Sequence, residues 1–293
     1  MTPARRGHMA MLTFSALVAG SFSLGSLIAN EIAPPTFNAL RFALAALIVG
    51  TAAFATTGLP RRMWNAPWRY VVLGSIFASY FILMFEGLKT APPVSAAAVF
   101  TLTPILSAAV GYILLRQILT RRMALALSIG GAGALWVIFR SDIAALIEFR
   151  VGQGELIYFV GCAAHAIYTP LVAKLNRGES PVQFTFGMLL MCFVTAMVWG
   201  WGDFWATDWA ALSSLVWITL IYVAVMASAA TFVLLQYASL RLPSAKVMAY
   251  TYLTPSWVLL WEIALGHEVP TGWVLGGVAL TVLALLMLLR DEH

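Results

Sequence analysis

Long apolar runs alternate with short polar or proline-rich pieces along the whole chain. A helix needs about 20 residues to cross the roughly 30 Å hydrocarbon core of a bilayer. A membrane β-barrel would instead show segments of about ten residues with alternating polarity, and the chain lacks that pattern. The runs therefore predict an all-α integral membrane protein with ten transmembrane helices, near residues 9–29, 35–55, 70–88, 94–114, 122–140, 154–174, 183–202, 214–236, 244–265 and 272–289.

Composition supports a membrane protein without an attached soluble domain. Of the 293 residues, 61% are hydrophobic and 10% are charged, whereas soluble domains average about 45–50% apolar and about 25% charged residues. Ten spans would use roughly 200 residues and leave too few for a second domain of ordinary size. The two cysteines, Cys162 and Cys192, lie inside apolar runs, so no disulfide framework is expected. The first run has no early cleavage site after it and is expected to stay as a span.

The positive charges predict the orientation of the helices. Thirteen lysines and arginines fall in loops on the side of the N-terminus, and three (Lys89, Arg140 and Arg150) fall on the other side. Short cytoplasmic loops carry an excess of Lys and Arg. We therefore expect both termini in the cytoplasm of a bacterial inner membrane, and we attribute the net charge of +5 to topology rather than to nucleic-acid binding.

An internal repeat divides the chain in two. Leu102-Thr103-Pro104 recurs 151 residues later as Leu253-Thr254-Pro255, and Pro92 meets Pro243 at the same offset. The pattern predicts one compact membrane domain made of two five-helix repeats, residues 1–145 and 146–293. An odd number of spans inverts the second repeat relative to the first. Inverted repeats are typical of secondary transporters, which expose a central site alternately to the two sides.

Residues for a substrate pathway can be selected from the helical spacing. Pro104 and Pro255 each remove a hydrogen bond inside a fourth helix and are predicted hinges or gates. The ninth span aligns Lys246, Tyr250, Thr254 and Trp257 on one stripe, a polar entrance followed by an aromatic wall. Further side chains are predicted to complete a substrate-binding chamber, although such rings more often only pack: Tyr80, Phe100, Thr103, His165, Tyr168 and Tyr222.

Ionisable residues inside membrane helices are costly and are candidates for function. Lys246, Glu86 and Glu262 are possible coupling residues or polar gates, with the two glutamates near helix ends. Arg41 lies two turns inside the second span, where we expect it to reach the interface or to pair with Glu86 or Glu31. The sequence contains no nucleotide-binding loop, no complete metalloprotease motif and no nucleophile elbow. We therefore predict no enzymatic activity, no cofactor and no metal site.

Together these features resemble the drug/metabolite transporter superfamily, specifically its EamA type. The resemblance rests on ten spans in two halves, a proline in each fourth helix, Gly266-His267-Glu268 followed by Gly276-Gly277, and Arg41-Phe42 in the second helix. Gln117 stands where the family often has Glu, which favours a packing role for that position. The resemblance implies a basket in which helices 1, 3, 4, 6, 8 and 9 surround a cavity, with helices 5 and 10 set apart.

Within the family the chain looks most like YddG-type exporters of aromatic and other neutral amino acids. The expected function is a facilitator that moves such small molecules out of the cytoplasm by alternating access, as a monomer or weak homodimer in the lipid bilayer. The alternatives are a proton-coupled exporter of drugs or other metabolites, which would need a central carboxylate, and a passive channel, which would need a visible filter.

Overall fold

A computed structural model describes residues 3–118, 120–139, 144, 151–267 and 272–289. The helices within these ranges are α1 (Pro3–Ile28), α2 (Pro34–Thr56), α3 (Trp68–Gly87), α4 (Pro93–Phe100), α5 (Thr103–Leu115), α6 (Arg121–Ile138), α7 (Gln153–Leu175), α8 (Pro181–Trp199), α9 (Trp201–Ala206), α10 (Ser214–Ala224), α11 (Thr231–Ser239), α12 (Ser244–Ala249), α13 (Thr254–Ala264) and α14 (Gly272–Leu289). The all-helical prediction is confirmed for these described residues.

Nine helical segments in the described part of the chain are long and apolar enough to cross a membrane. They correspond to nine of the ten predicted spans, because α4 with α5 and α10 with α11 each form one segment. A π-helical turn, Val225–Ala230, joins α10 to α11. The remaining predicted span, 244–265, consists of α12, a 3-10 turn over Tyr250–Leu253, and α13. The count of ten crossings therefore stays a prediction.

Both predicted proline helices are broken next to the proline. Thr101 and Leu102 separate α4 from α5, and the 3-10 turn separates α12 from α13. Pro104 and Pro255 each lie in the first turn of the helix that follows the break. Proline is tolerated there because the first turn of a helix has no internal acceptor for its N–H groups.

Close backbone contact joins the fifth and the last predicted helices. A Cβ added at Gly133 in α6 would lie 2.7 Å from the carbonyl oxygen of Gly277 in α14, and one at Gly277 would lie 2.9 Å from that of Gly133. Glycine therefore allows the two backbones to approach each other, as small residues do in membrane helices. Elsewhere, α3 packs against α7 and α8, and α2 packs against α8.

An ion pair fixes the helix ends on the side of the N-terminus. Arg69, at the start of α3, donates to Glu179 in the loop before α8 at 2.6 Å and to the Leu175 carbonyl at 2.7 Å. The Arg177 backbone N–H donates to the same carboxylate at 2.7 Å. Burial acts to raise the pKa of Glu179, but these hydrogen bonds outweigh it and hold the pKa below its usual 4.5.

The predicted boundary between the repeats, at residues 145 and 146, lies outside the described residues, as do Arg140, Arg150, Glu268 and Arg290. The exact boundaries, the inversion of the repeats and the orientation of the termini therefore stay predictions.

Candidate functional site

Aromatic rings surround His165 in the centre of the protein. The His165 ring lies 4.5 Å from the ring of Tyr80, 5.2 Å from that of Phe77 and 5.4 Å from that of Phe100, measured between centroids. Tyr168 stacks on Phe77 at 4.0 Å with the planes 9° apart. The five residues, which we call the central cluster, come from α3, α4 and α7. The structure thus brings together four residues predicted for the substrate chamber.

Polar atoms line the same region. The Tyr80 and Tyr158 hydroxyls are 3.1 Å apart, and the Gln236 amide donates to the Tyr168 hydroxyl at 2.7 Å. His165 Nδ1 and Gln236 Oε1 are buried and have no hydrogen-bond partner among the described residues. Buried polar atoms are nearly always satisfied in folded proteins. Unused acceptors and donors beside aromatic faces are what a ligand with both apolar and polar parts would require.

The central cluster is closed in this conformation. Tyr80, Phe100 and Tyr168 are 0% exposed, and His165 is 1% exposed. A molecule could reach these rings only after helices separate. The conformation is therefore occluded at the position of the cluster.

The two helix breaks meet close to this cluster. Thr103, at the start of α5, donates to the Phe100 carbonyl at 2.7 Å, and its hydroxyl lies 3.3 Å from that of Thr251 in the second break. Thr254 is buried, and its hydroxyl has no partner in the described part of the chain. Gln117 accepts a hydrogen bond from the Ser244 backbone N–H at 3.2 Å, which links the end of α5 to the start of α12.

The other predicted chamber residues lie along α1. Tyr222 donates to the Leu17 carbonyl at 2.9 Å, the Tyr250 hydroxyl lies 3.0 Å from His8 Nδ1, and Trp257 donates to Ser15 at 3.2 Å. The predicted continuous stripe of the ninth span is interrupted, because the 3-10 turn over 250–253 changes the helical spacing. The structure therefore divides the predicted chamber into two groups of side chains.

The predicted coupling residues lie at helix ends. Glu86, at the end of α3, pairs with Lys89 at 2.8 Å. Glu262, in the last turn of α13, contacts His267, which follows that helix, at 2.7 Å. Lys246 is half-buried in α12, on the side of the N-terminus. The part of the chain that the structure describes contains no group of His, Cys, Asp or Glu side chains able to hold a metal ion.

Arg41 does not pair with Glu86 or Glu31, contrary to the expectation from sequence. Its Nε donates to Ser228 at 2.6 Å and its Nη2 donates to the Ala227 carbonyl at 2.8 Å, both in the π-helical turn. The side chain turns toward the interior instead of the interface because these acceptors and the Phe81 ring, 3.9 Å from the guanidinium carbon, are within reach.

Sequence reasoning missed Phe77, Phe81 and Gln236. Phe77 and Phe81 lie one turn before and one residue after Tyr80, so Phe77 shares a helix face with the predicted Tyr80, and helical spacing from Tyr80 could have found it. Gln236 is a polar residue inside an apolar run, which by itself is a signal for a buried interaction.

Comparisons with known proteins agree with this architecture. The model of the EamA-like transporter family matches the chain twice, over residues 5–139 and 152–290. An uncharacterized transporter of Bacillus subtilis (strain 168), YyaM, is 24% identical over 284 residues, which cover 95% of this chain and 92% of that protein. A solved crystal structure has the same fold, with a TM-score of 0.73, 20% identity and 99% coverage of both chains.

The chain belongs to the EamA-like transporter family of the drug/metabolite transporter superfamily. It is a multi-pass membrane transporter built from two copies of the EamA unit.

Proposed function

We propose that the protein is a secondary transporter that moves aromatic and other neutral amino acids out of the cytoplasm of a bacterial cell. The observation that carries the proposal is the central cluster, in which α3 and α4 of the first half meet α7 of the second half around His165. A site between two repeats is where secondary transporters bind substrate.

The residues of the central cluster match an amphipathic substrate. The faces of Phe77 and Tyr168 would stack on an aromatic or long apolar side chain. His165 Nδ1 and the Thr254 hydroxyl, which lack described partners, would bind the polar groups of the substrate. None of the five residues of the central cluster is a carboxylate, so the cluster favours a facilitator over an exchanger that trades a proton at a central carboxylate.

The helix breaks support alternating access. The breaks next to Pro104 and Pro255 meet at Thr103 and Thr251, so each half has a point where its fourth helix can bend. Rocking of the two inverted halves about these points would open the central cluster to one side at a time. The excess of Lys and Arg on the side of the N-terminus supports cytoplasmic termini in the inner membrane. The transporter would act as a monomer or weak homodimer.

Counterflow in proteoliposomes tests this proposal. Vesicles loaded with unlabelled phenylalanine should take up labelled phenylalanine in a saturable way, and lysine should compete poorly. Tyr168→Ala should raise the half-saturating concentration at least about tenfold, because it removes a stacking face and a hydroxyl. Tyr112→Ala is the matched control, since Tyr112 is 61% exposed on the outer surface of α5.

Four outcomes would contradict the proposal or its binding site. Absence of counterflow for every amino acid, with folded protein in the vesicles, would reject the substrate class. Flux that does not saturate and shows no trans-stimulation would indicate a channel. Equal kinetics for Tyr168→Ala and Tyr112→Ala would reject the central cluster as the binding site, and larger effects of Tyr250→Ala and Trp257→Ala would assign binding to the residues along α1.

A further inference from the structure

Arg41 is a buried cation without an anionic partner in the described chain. It is 0% exposed and lies about two turns from the start of α2. Its hydrogen bonds go to neutral acceptors, the Ser228 hydroxyl and the Ala227 carbonyl. A buried charge is ordinarily paired, since taking it out of water is costly. In the occluded protein the charge of Arg41 is therefore balanced only by neutral hydrogen-bond acceptors and aromatic ring faces.

The unused hydrogen-bond donors of Arg41 are adjacent to one another. Nη1 is buried and has no partner among the described residues, and Nη2 uses one of its two N–H groups. Nη1 and Nη2 form the end of the guanidinium fork, which fits the two oxygens of a carboxylate. The side of the fork, at Nε, is already occupied by Ser228. The π-helical turn thus holds the guanidinium from one side and leaves Nη1, at its end, without a partner among the described residues.

One aromatic ring connects Arg41 to the central cluster. The guanidinium carbon lies 3.9 Å from the centroid of Phe81. The Phe81 ring lies 4.5 Å from that of Tyr80 and 5.1 Å from that of Phe77. A small molecule with a carboxylate next to an apolar group could therefore touch the fork and the rings together once the helices separate.

We propose that Arg41 binds the carboxylate of the transported substrate through Nη1 and Nη2. This inference rests on the proposed transport function, because it assumes that the substrate binds at the central cluster. It adds that the substrate carries a carboxylate. A role as a brace alone, holding α2 to the π-helical turn, accounts for Nε and Nη2. It does not account for a buried Nη1 without a partner beside the rings.

The test compares ligands that differ only at the carboxylate. Binding of labelled phenylalanine to the purified full-length transporter is measured in competition with unlabelled phenylalanine and with phenylalaninamide. We expect the wild type to prefer phenylalanine by about tenfold or more, as for a hydrogen-bonded charge. Arg41→Gln should reduce this ratio to within about twofold. Arg241→Gln is the matched control, because Arg241 also lies over a ring, that of Tyr237 at 3.7 Å, but is exposed.

A second variant tests Arg41 if the first variant does not fold, and a second ligand pair tests it if phenylalanine is not the substrate. Arg41→Lys, used if Arg41→Gln does not fold, keeps the charge and loses the planar fork, so the preference should fall several-fold. If the wild type binds neither phenylalanine nor its amide, the proposed substrate is wrong, and 3-phenylpropionate against 3-phenylpropanamide then tests the fork alone. A wild type without preference in both pairs, or a folded Arg41 variant that retains the full preference, would overturn the proposal.

Discussion

The hydroxyls of Thr103 and Thr251 lie 3.3 Å apart, the first directly after the break in one proline-containing helix and the second within the break in the other. Thr103 begins α5, and Thr251 lies in the 3-10 turn between α12 and α13. A break exposes backbone carbonyls that a continuous helix would use, and such backbone is tolerated at membrane depth where protein surrounds it. The contact between the two hydroxyls therefore places the breaks of the two proline-containing helices against each other.

Cross-linking the two breaks should stop transport. In Thr103→Cys with Thr251→Cys, the two sulfur atoms would replace hydroxyls already in contact, so an oxidant is expected to form a disulfide. The oxidised protein should lose most counterflow, and a reductant should restore it. The measurement is phenylalanine counterflow before and after oxidation, with each single cysteine variant as the control. Full activity in the cross-linked protein would show that the breaks do not move apart during transport.

Larger side chains at the contact between α6 and α14 should destabilise the fold. Gly277→Val would place a side chain 2.9 Å from the Gly133 carbonyl, so the helices must separate. Overpacking of this kind costs about 1–3 kcal/mol, which thermal unfolding in detergent would detect. Gly276→Val is the matched control, because a Cβ there has no neighbour within 4 Å. Equal melting temperatures for the two variants would show that this contact is absent.

Removal of the Glu179 carboxylate should loosen the helix ends on the side of the N-terminus. Glu179→Gln leaves Arg69, which is 1% exposed, without its anionic partner. We expect a loss of about 2 kcal/mol in the free energy of unfolding, below that of a deep ion pair because the loop is near solvent. Glu86→Gln, at the exposed pair with Lys89, should change stability much less. An equal loss in the free energy of unfolding for Glu179→Gln and Glu86→Gln would contradict the prediction.

The same ion pair predicts a pH dependence of stability. The pKa of Glu179 in the folded protein lies below its usual 4.5, so the ionised carboxylate stabilises the fold at neutral pH. This contribution is complete above the unfolded pKa and is lost as the pH falls through the lower folded pKa. Melting temperatures between pH 7 and pH 3 should therefore fall more steeply in the wild type than in Glu179→Gln. Parallel curves of melting temperature against pH for the wild type and Glu179→Gln would show that Glu179 does not cause the pH dependence.

Helices were predicted correctly from the sequence where hydropathy alone decides the structure. Nine predicted spans correspond to membrane-length segments, because a run of apolar residues satisfies its backbone only as a helix in lipid. The tenth differed at 250–253, where a 3-10 turn replaces the expected continuous helix. Periodicity does not reveal that a helix is interrupted just before each of Pro104 and Pro255, since that depends on the helices packed around the break.

The candidate site was predicted only in part. Tyr80, Phe100, His165 and Tyr168 meet as expected, but Tyr222, Tyr250 and Trp257 contact α1. Both sets consist of rings on helix faces, and a one-dimensional pattern does not specify the rotation of each helix about its axis. That rotation follows from which side chains pack across each contact.

The sequence by itself determined that the chain is helical, spans a membrane and contains two similar halves, because hydrophobic length and repetition are properties of the chain alone. Tertiary structure decided which rings surround His165 and where Arg41 points. Those outcomes depend on contacts between distant segments: the acceptors of Arg41 lie in the π-helical turn, 186 and 187 residues away along the chain, and only the packing of α2 against that turn brings them together.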